Sequence, residues 1–142
     1  MFSQHHSPIT PAVAVLLLFA CSFGCGNSPS VRVSTWGGTA KIDVATLGEY
    51  PTTITRIRLQ NQQSHAVVWE VKALSGTPQI HGLILKKGVN PVSLAGADAG
   101  TYAIVSPLNS KIFQLDSGVI YTLELWNSAS GGPAKVSIQF AK

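Results

Sequence analysis

Charged side chains are scarce in this 142-residue sequence. Lysine, arginine, aspartate and glutamate together make up 11% of the residues, and the formal net charge of +4 comes from basic residues spread along the chain. Only Lys86 and Lys87 are adjacent, and Arg56 and Arg58 are separated by an apolar residue. A nucleic-acid-binding stripe needs basic residues clustered on one face among aromatics. The sequence therefore predicts no nucleic-acid partner.

Cysteine is nearly absent. Cys21 and Cys25 are the only two, and both precede the part of the chain that shows strand patterns. A zinc site would need further cysteines or histidines at ligand spacing, and none follows. The sequence also lacks a phosphate-binding glycine loop and an EF-hand-like loop. We expect a folded domain with no disulfide, no metal and no cofactor.

Long apolar runs are limited to one, AVAVLLLFA at residues 12–20. It is far shorter than the ~20 residues that cross a bilayer as a helix. Its length and its place close to the first residue are typical of the hydrophobic region of an export signal. The residues before it include His5 and His6 but no lysine or arginine, which such leaders normally carry. We predict a signal peptide over residues 1–20.

The end of this apolar run has a specific pattern. Leu18, Phe19, Ala20 and Cys21 resemble the lipobox of bacterial lipoproteins, in which leucine stands three residues before the cysteine and a small residue directly before it. The resemblance implies cleavage before Cys21, lipidation of its thiol and attachment to a cell-envelope membrane. Where a cell has two membranes, Ser22 in the next position resembles the pattern sent to the outer one.

Other processing sites remain open. Cys25 follows a poorer lipobox, and ordinary signal-peptidase cleavage after Gly24 or Gly26 would give a secreted protein instead. Small and polar residues with a proline fill the next segment, which is the composition of a flexible linker. We therefore predict a lipidated cysteine and tether over residues 21–30.

Residues 31–142 are predicted to form one all-β domain. Short segments alternate apolar and polar residues between clusters of turn-forming residues, and no segment shows a sustained helical period. Seven to nine strands, packed as two antiparallel sheets, would bury one apolar face of each strand. The segments with this pattern are 31–34, 40–45, 56–59, 67–72, 80–85, 101–105, 112–115, 121–125 and 135–140.

One motif resembles a known family. Leu115, Gly118 and Tyr121 form L-x-x-G-x-x-Y, which resembles the tyrosine corner of fibronectin type III and immunoglobulin-like domains. The resemblance implies an immunoglobulin-like sandwich in which the Tyr121 hydroxyl bonds to upstream backbone and Trp69 is buried on an inner strand. Leu123 stands where antibody domains carry a disulfide cysteine, which favours the fibronectin-like side of the group.

Catalytic motifs are lacking. Glu70 and Glu124 fall at positions that alternation assigns to the polar face of their strands, and we expect both to be solvated. His65 and His81 have no cysteine, aspartate or second histidine at ligand spacing. No serine lies in a nucleophile motif such as G-x-S-x-G. We therefore predict that the protein is not an enzyme.

Two tryptophans give the only indication of a ligand-binding surface. Trp126 shares the parity of Glu124, so simple alternation directs it away from the core, and Trp36 stands beside glycines. An outward tryptophan can stack on a sugar ring or anchor a protein partner. The alternative is that a β-bulge turns Trp126 inward or that it covers a sheet edge.

Taken together, these patterns predict a lipid-anchored module of the cell envelope with a non-catalytic binding or structural role. Its expected partners are the membrane, through lipidated Cys21, and a protein or polysaccharide. The alternative function is a secreted or surface carbohydrate-binding module that uses Trp126 and Trp36.

Overall fold

Ten β-strands make up most of the chain that the structure describes. The computed structural model describes residues 30–45, 53–74, 80, 82–93, 102–127 and 132–142, and none of these residues is helical, so no helix among them could cross a membrane. The strands are β1 (Ser30–Trp36), β2 (Thr39–Ala45), β3 (Ile54–Asn61), β4 (Val67–Ala73), β5 (Gly82–Lys86), β6 (Gly88–Pro91), β7 (Tyr102–Ser106), β8 (Ile112–Leu115), β9 (Ile120–Asn127) and β10 (Ala134–Gln139).

The prediction of an all-β domain is confirmed, and β6 adds a tenth strand to the seven to nine expected. Its sequence GVNP begins with glycine and ends with proline, a pattern typical of loops. The first strand begins at Ser30, one residue before the predicted domain boundary. The predicted leader, Cys21, Cys25 and the tether up to residue 29 lie outside the described residues.

The strands pair only in antiparallel fashion. One sheet has the order β10-β9-β3-β4-β7, a second has the order β1-β2-β5, and β6 and β8 form a two-stranded ribbon. The predicted closing hairpin is present as β9 and β10, with Tyr121 opposite Ile138 and Leu125 opposite Ala134. Long-range pairing of β3 with β9 places a strand from each half of the domain at the centre of the larger sheet.

The core lies between the inner faces of the sheets. Along the strands, inward-facing apolar residues alternate with outward-facing ones, because successive side chains of a strand point to opposite faces. Ile57 and Leu123 from the five-stranded sheet belong to the same buried cluster as Ile42 and Leu85 from the three-stranded sheet. The domain is therefore an antiparallel β-sandwich, as predicted.

Trp69 connects β4 to the β6–β8 ribbon. Its ring is buried and stacks on Phe113 of β8, with 5.4 Å between ring centroids and 12° between ring planes. Its indole N–H donates a 2.8 Å hydrogen bond to the Val92 carbonyl oxygen, directly after β6. A buried tryptophan needs such a partner for its N–H. The contact therefore attaches the ribbon to the inner face of the five-stranded sheet.

Tyr121 stabilises the turn between β8 and β9. The Asp116 N–H donates a 2.8 Å hydrogen bond to the Tyr121 hydroxyl oxygen, and the tyrosine ring is buried. Gly118 has a φ of 77°, in the left-handed region that favours glycine, and its N–H bonds the Phe140 carbonyl oxygen at 2.9 Å. Leu115, at the end of β8, is buried below the turn. These bonds fix the passage from the ribbon to the larger sheet.

Removal of the Tyr121 hydroxyl tests this turn. Tyr121→Phe keeps the ring but deprives the Asp116 N–H of its acceptor, so we expect a loss of about 1–3 kcal/mol in the free energy of unfolding. Urea unfolding followed by tryptophan fluorescence measures it. Ser137→Ala, an exposed position on β10, is the control and should leave the unfolding midpoint almost unchanged. A Tyr121→Phe chain as stable as this control would contradict the assigned hydrogen bond.

Candidate functional site

A row of charged residues crosses the outer face of the five-stranded sheet. The strand register places Lys135 of β10 opposite Glu124 of β9, Glu124 opposite Arg58 of β3, and Arg58 opposite Glu70 of β4. Arg56, two residues before Arg58, projects from the same face. Residues opposite one another in antiparallel strands have Cβ atoms about 4.5–5.5 Å apart, so basic and acidic side chains alternate in contact distance.

Glu70 is held by two arginines. Its Oε1 accepts a hydrogen bond from Arg56 Nε at 2.7 Å and also contacts Arg56 Nη2, while its Oε2 accepts one from Arg58 Nε at 2.9 Å. Glu70 is only 5% exposed. Charge-assisted hydrogen bonds of this kind are stronger than bonds between neutral groups. Glu70 therefore fixes the positions of both guanidinium groups.

Glu124 has a different pair of cations. Lys135 Nζ lies 2.8 Å from its Oε1, and Arg58 Nη1 lies 3.5 Å from its Oε2. The residue is 4% exposed, and its Oε2 has no hydrogen-bond partner among the described residues. Arg58 thus bridges the two glutamates, Glu70 and Glu124.

The prediction that both glutamates are solvated is wrong. Their outward parity is as expected, but Glu70 and Glu124 are buried beneath the side chains of neighbouring strands. Long arginine side chains can cover a surface with their stems while their charged ends bond to partners. Alternation along one strand does not reveal that cover, because it comes from the strands on either side.

Trp126 lies on the same outer face, beside the arginines. It pairs with Arg56 across β9 and β3, and the ring centroid lies 4.8 Å from the Arg56 guanidinium carbon and 5.2 Å from that of Arg58. Attraction between a guanidinium group and an aromatic ring is about 0.5–1 kcal/mol at exposed sites and larger when the pair is desolvated. The indole is half-buried as a result. We call the surface formed by Trp126, Arg56, Arg58, Glu70, Glu124 and Lys135 the tryptophan–arginine face.

The β-bulge considered as an alternative lies on the neighbouring strand. The register of β3 against β9 shifts between Ile54 and Arg56, and Thr55 at this shift donates a 3.3 Å hydrogen bond from its hydroxyl to the Trp126 carbonyl oxygen. The irregularity does not turn Trp126 into the core, since its ring contacts the arginines of the outer face.

Trp36 occupies a separate surface. It ends β1 opposite Thr39 and is 56% exposed. Val31 and Val33, of the opposite parity in β1, pack against the core, so Trp36 projects from the outer face of the three-stranded sheet. Trp36 and Trp126 therefore lie on opposite faces of the sandwich. They do not form one platform, and this corrects the expectation that Trp36 joins Trp126 at a single site.

Other candidate residues do not assemble with this face. His65 is exposed at the turn after β3, with a φ of 58°, and His81 lies outside the described residues. Within the described ranges, no group of three or more histidines, cysteines, aspartates or glutamates is placed to hold a metal ion.

Comparison with known proteins returns no relative. No family model matches the chain, and neither the curated proteins nor the solved structures include a significant match.

The pairing of Glu70 with its arginines has a measurable consequence. Glu70→Gln removes the charge that holds Arg56 and Arg58, so we expect a loss of about 1.5–3 kcal/mol in the free energy of unfolding. Asp43→Asn is a matched control, because the Lys41–Asp43 pair at 3.1 Å has both side chains 48% exposed. An exposed pair contributes under about 1 kcal/mol. Equal effects of the two substitutions in urea unfolding would contradict the special role of Glu70.

Proposed function

We propose that this protein is a lipid-anchored β-sandwich module of the cell envelope that acts by binding, without catalysing a reaction. The observation that carries the proposal is the sequence at residues 12–21, where an apolar run ends in Leu18, Phe19, Ala20 and Cys21. Acylation of Cys21 would attach the chain to a membrane, the outer one where two are present. Because β1 begins at Ser30, the tether between anchor and sandwich is short.

The proposed sandwich class is immunoglobulin-like, on the fibronectin type III side. Two features support it: the hydrogen bond from the Asp116 N–H to the Tyr121 hydroxyl and the strand order of the larger sheet. In that order β9 lies between β10 and β3, as the sixth strand of immunoglobulin-like domains lies between the seventh and the third. Trp69 is buried, but it lies on β4 and not on the third strand, where such domains carry their tryptophan. This class hosts many binding roles, so it supports a binding module without naming the ligand.

The tryptophan–arginine face supports a binding role. Tryptophan and arginine are the residues most enriched among those that dominate the energy of protein interfaces. Here both arginines are already fixed by Glu70 and by the indole of Trp126. Because these side chains are ordered before a partner arrives, binding would cost less conformational entropy than at a mobile surface. The carboxylates Glu70 and Glu124 are engaged in ion pairs, which suits a positioning role better than acid–base chemistry.

The anchor is tested by the intact mass and membrane partition of the processed protein. We expect the mature chain to begin at Cys21 with attached acyl chains and to sediment with membranes. Cys21→Ser should abolish both the acyl mass and the sedimentation, because the hydroxyl of serine cannot receive the thioether-linked lipid. Cys25→Ser is the matched control and should be processed normally. An unmodified N-terminus beyond Cys25 would refute the lipid anchor and favour secretion.

A second candidate function is carbohydrate binding through Trp36, which is favoured by the exposure of its indole at the end of β1. Pull-down with insoluble cellulose, chitin and peptidoglycan measures this activity. If Trp36 stacks on a sugar ring, Trp36→Ala should weaken retention by about tenfold or more, as expected for a dominant aromatic contact. Trp126→Ala, on the opposite face, is the comparison variant. Retention that is absent in the wild type or unchanged in Trp36→Ala would exclude this function.

A further inference from the structure

One edge of β5 is left open among the described strands. β5 pairs with β2, and no second described strand pairs with it. The Lys86 N–H and carbonyl both bond to the Asn90 side chain, at 2.8 and 2.7 Å, so they point away from β2. Along an antiparallel strand, the N–H and the carbonyl of one residue point to the same side, and those of the next residue point to the other side. The N–H and carbonyl of Ile84, two residues earlier, therefore point to the same open side.

A groove of about 260 Å³ follows this open edge. Residues of β5 line it together with Pro91 and Ser93, and the groove reaches the largely buried Trp69 and Phe113. Pockets for small organic ligands usually span about 300–1,000 Å³. This groove is smaller, and four consecutive residues of β5, 82–85, line it, so it suits a short stretch of extended peptide better than a compact small molecule.

The β6 strand cannot close the groove by pairing with β5. Pro91 has no N–H to donate. The next residue, Val92, uses its N–H on the Lys111 carbonyl oxygen at 3.0 Å and its own carbonyl oxygen on the Trp69 indole N–H at 2.8 Å. Both of its backbone groups are therefore committed away from β5, and Ile84 receives no partner from this residue.

Asn90 shows which hydrogen-bonding groups fit the edge of β5. Its carboxamide accepts from the Lys86 N–H and donates to the Lys86 carbonyl oxygen, and it is almost fully buried. A carboxamide presents the same acceptor and donor as a backbone peptide group. Asn90 thus occupies the position of a neighbouring strand at Lys86 and leaves the next position, at Ile84, open.

The rim of the groove is basic. Lys41 lines it, and Lys86, which follows the lining residue Leu85 on β5, is exposed. Asp43 pairs with Lys41, but both side chains are half exposed, so this pair is weak. The charge of the rim favours an acidic ligand over a second copy of this chain, whose formal net charge is +4.

We propose that this groove binds an extended, acidic peptide segment of a partner protein, which adds to β5 as a further strand. In strand addition, backbone hydrogen bonds supply affinity and pockets for alternate side chains supply specificity. Ile84 provides the backbone contact, the exposed side chains of Ile84 and Pro91 provide the apolar contact, and Lys41 and Lys86 select acidic residues. The inference extends the proposed binding role and does not require the lipid anchor, so a Cys21→Ser chain should bind the same peptide.

Amide hydrogen exchange of the full mature chain tests the open edge. In the free protein, the Ile84 amide should exchange much faster than the Leu83 and Leu85 amides, which face β2. The probe is an acetylated heptapeptide of alternating valine and acidic residues. Its addition should slow exchange at Ile84 by about tenfold or more, because the amide gains a hydrogen-bond acceptor. An Ile84 amide already protected in the free chain would overturn the proposal.

Matched peptides and variants separate strand addition from nonspecific attraction. The same heptapeptide with N-methylated backbone amides cannot pair as a strand and should not protect Ile84. Lys86→Glu should weaken binding of the acidic peptide and favour a lysine-containing counterpart, whereas Lys142→Glu, an exposed change at the end of the chain, should have little effect.

Equal binding of the N-methylated peptide would refute strand addition. Protection of Ile84 that rises with protein concentration alone would identify a second copy as the occupant and refute the acidic partner.

Discussion

The register of β3 between β4 and β9 is the constraint on which both faces of the larger sheet depend. In this register Ile57 and Leu59 face the core, while Arg56 and Arg58 meet the glutamates on the outer face. A slip by one residue would exchange these faces and bury two arginines in the apolar core. The ion pairs and the hydrophobic core therefore specify the same alignment, and a slip in register would break both.

The five-stranded sheet is continuous, whereas the other side of the sandwich is divided into the β1-β2-β5 sheet and the β6–β8 ribbon. A tight turn with Gly88 at positive φ leads from β5 into β6, and Pro91 prevents these two strands from pairing along their length. Trp69 holds the resulting ribbon in place from the opposite sheet. Natural proteins usually block an open strand edge with charges or side chains. Here Asn90 covers the backbone groups of Lys86, whereas no described residue covers those of Ile84.

The two surfaces differ in what they offer a partner. On the tryptophan–arginine face, charges are largely satisfied within the molecule, so a partner would meet a rigid surface of fixed shape. At the β5 edge, the Ile84 peptide group lacks a partner among the described residues, so an incoming strand would make new hydrogen bonds. An anchor at Cys21, if acylated, would hold both surfaces close to a membrane, where even weak contacts gain from the high local concentration.

The sequence by itself determined the fold class. Alternation of apolar and polar residues indicated nine of the ten strands, because this period of two is local and directly visible. The tenth strand, β6, was not predicted, because its glycine and proline are typical of a loop. Parity also indicated correctly that Glu70, Glu124 and Trp126 face outward, but it could not show what covers them. Only the tertiary structure decided that Glu70 lies between two arginines, that Trp126 and Trp36 are on opposite faces and that β5 keeps an edge to which no other described strand pairs. These features depend on which distant strands become neighbours, and pairing between strands far apart in sequence leaves no periodic signal in either strand.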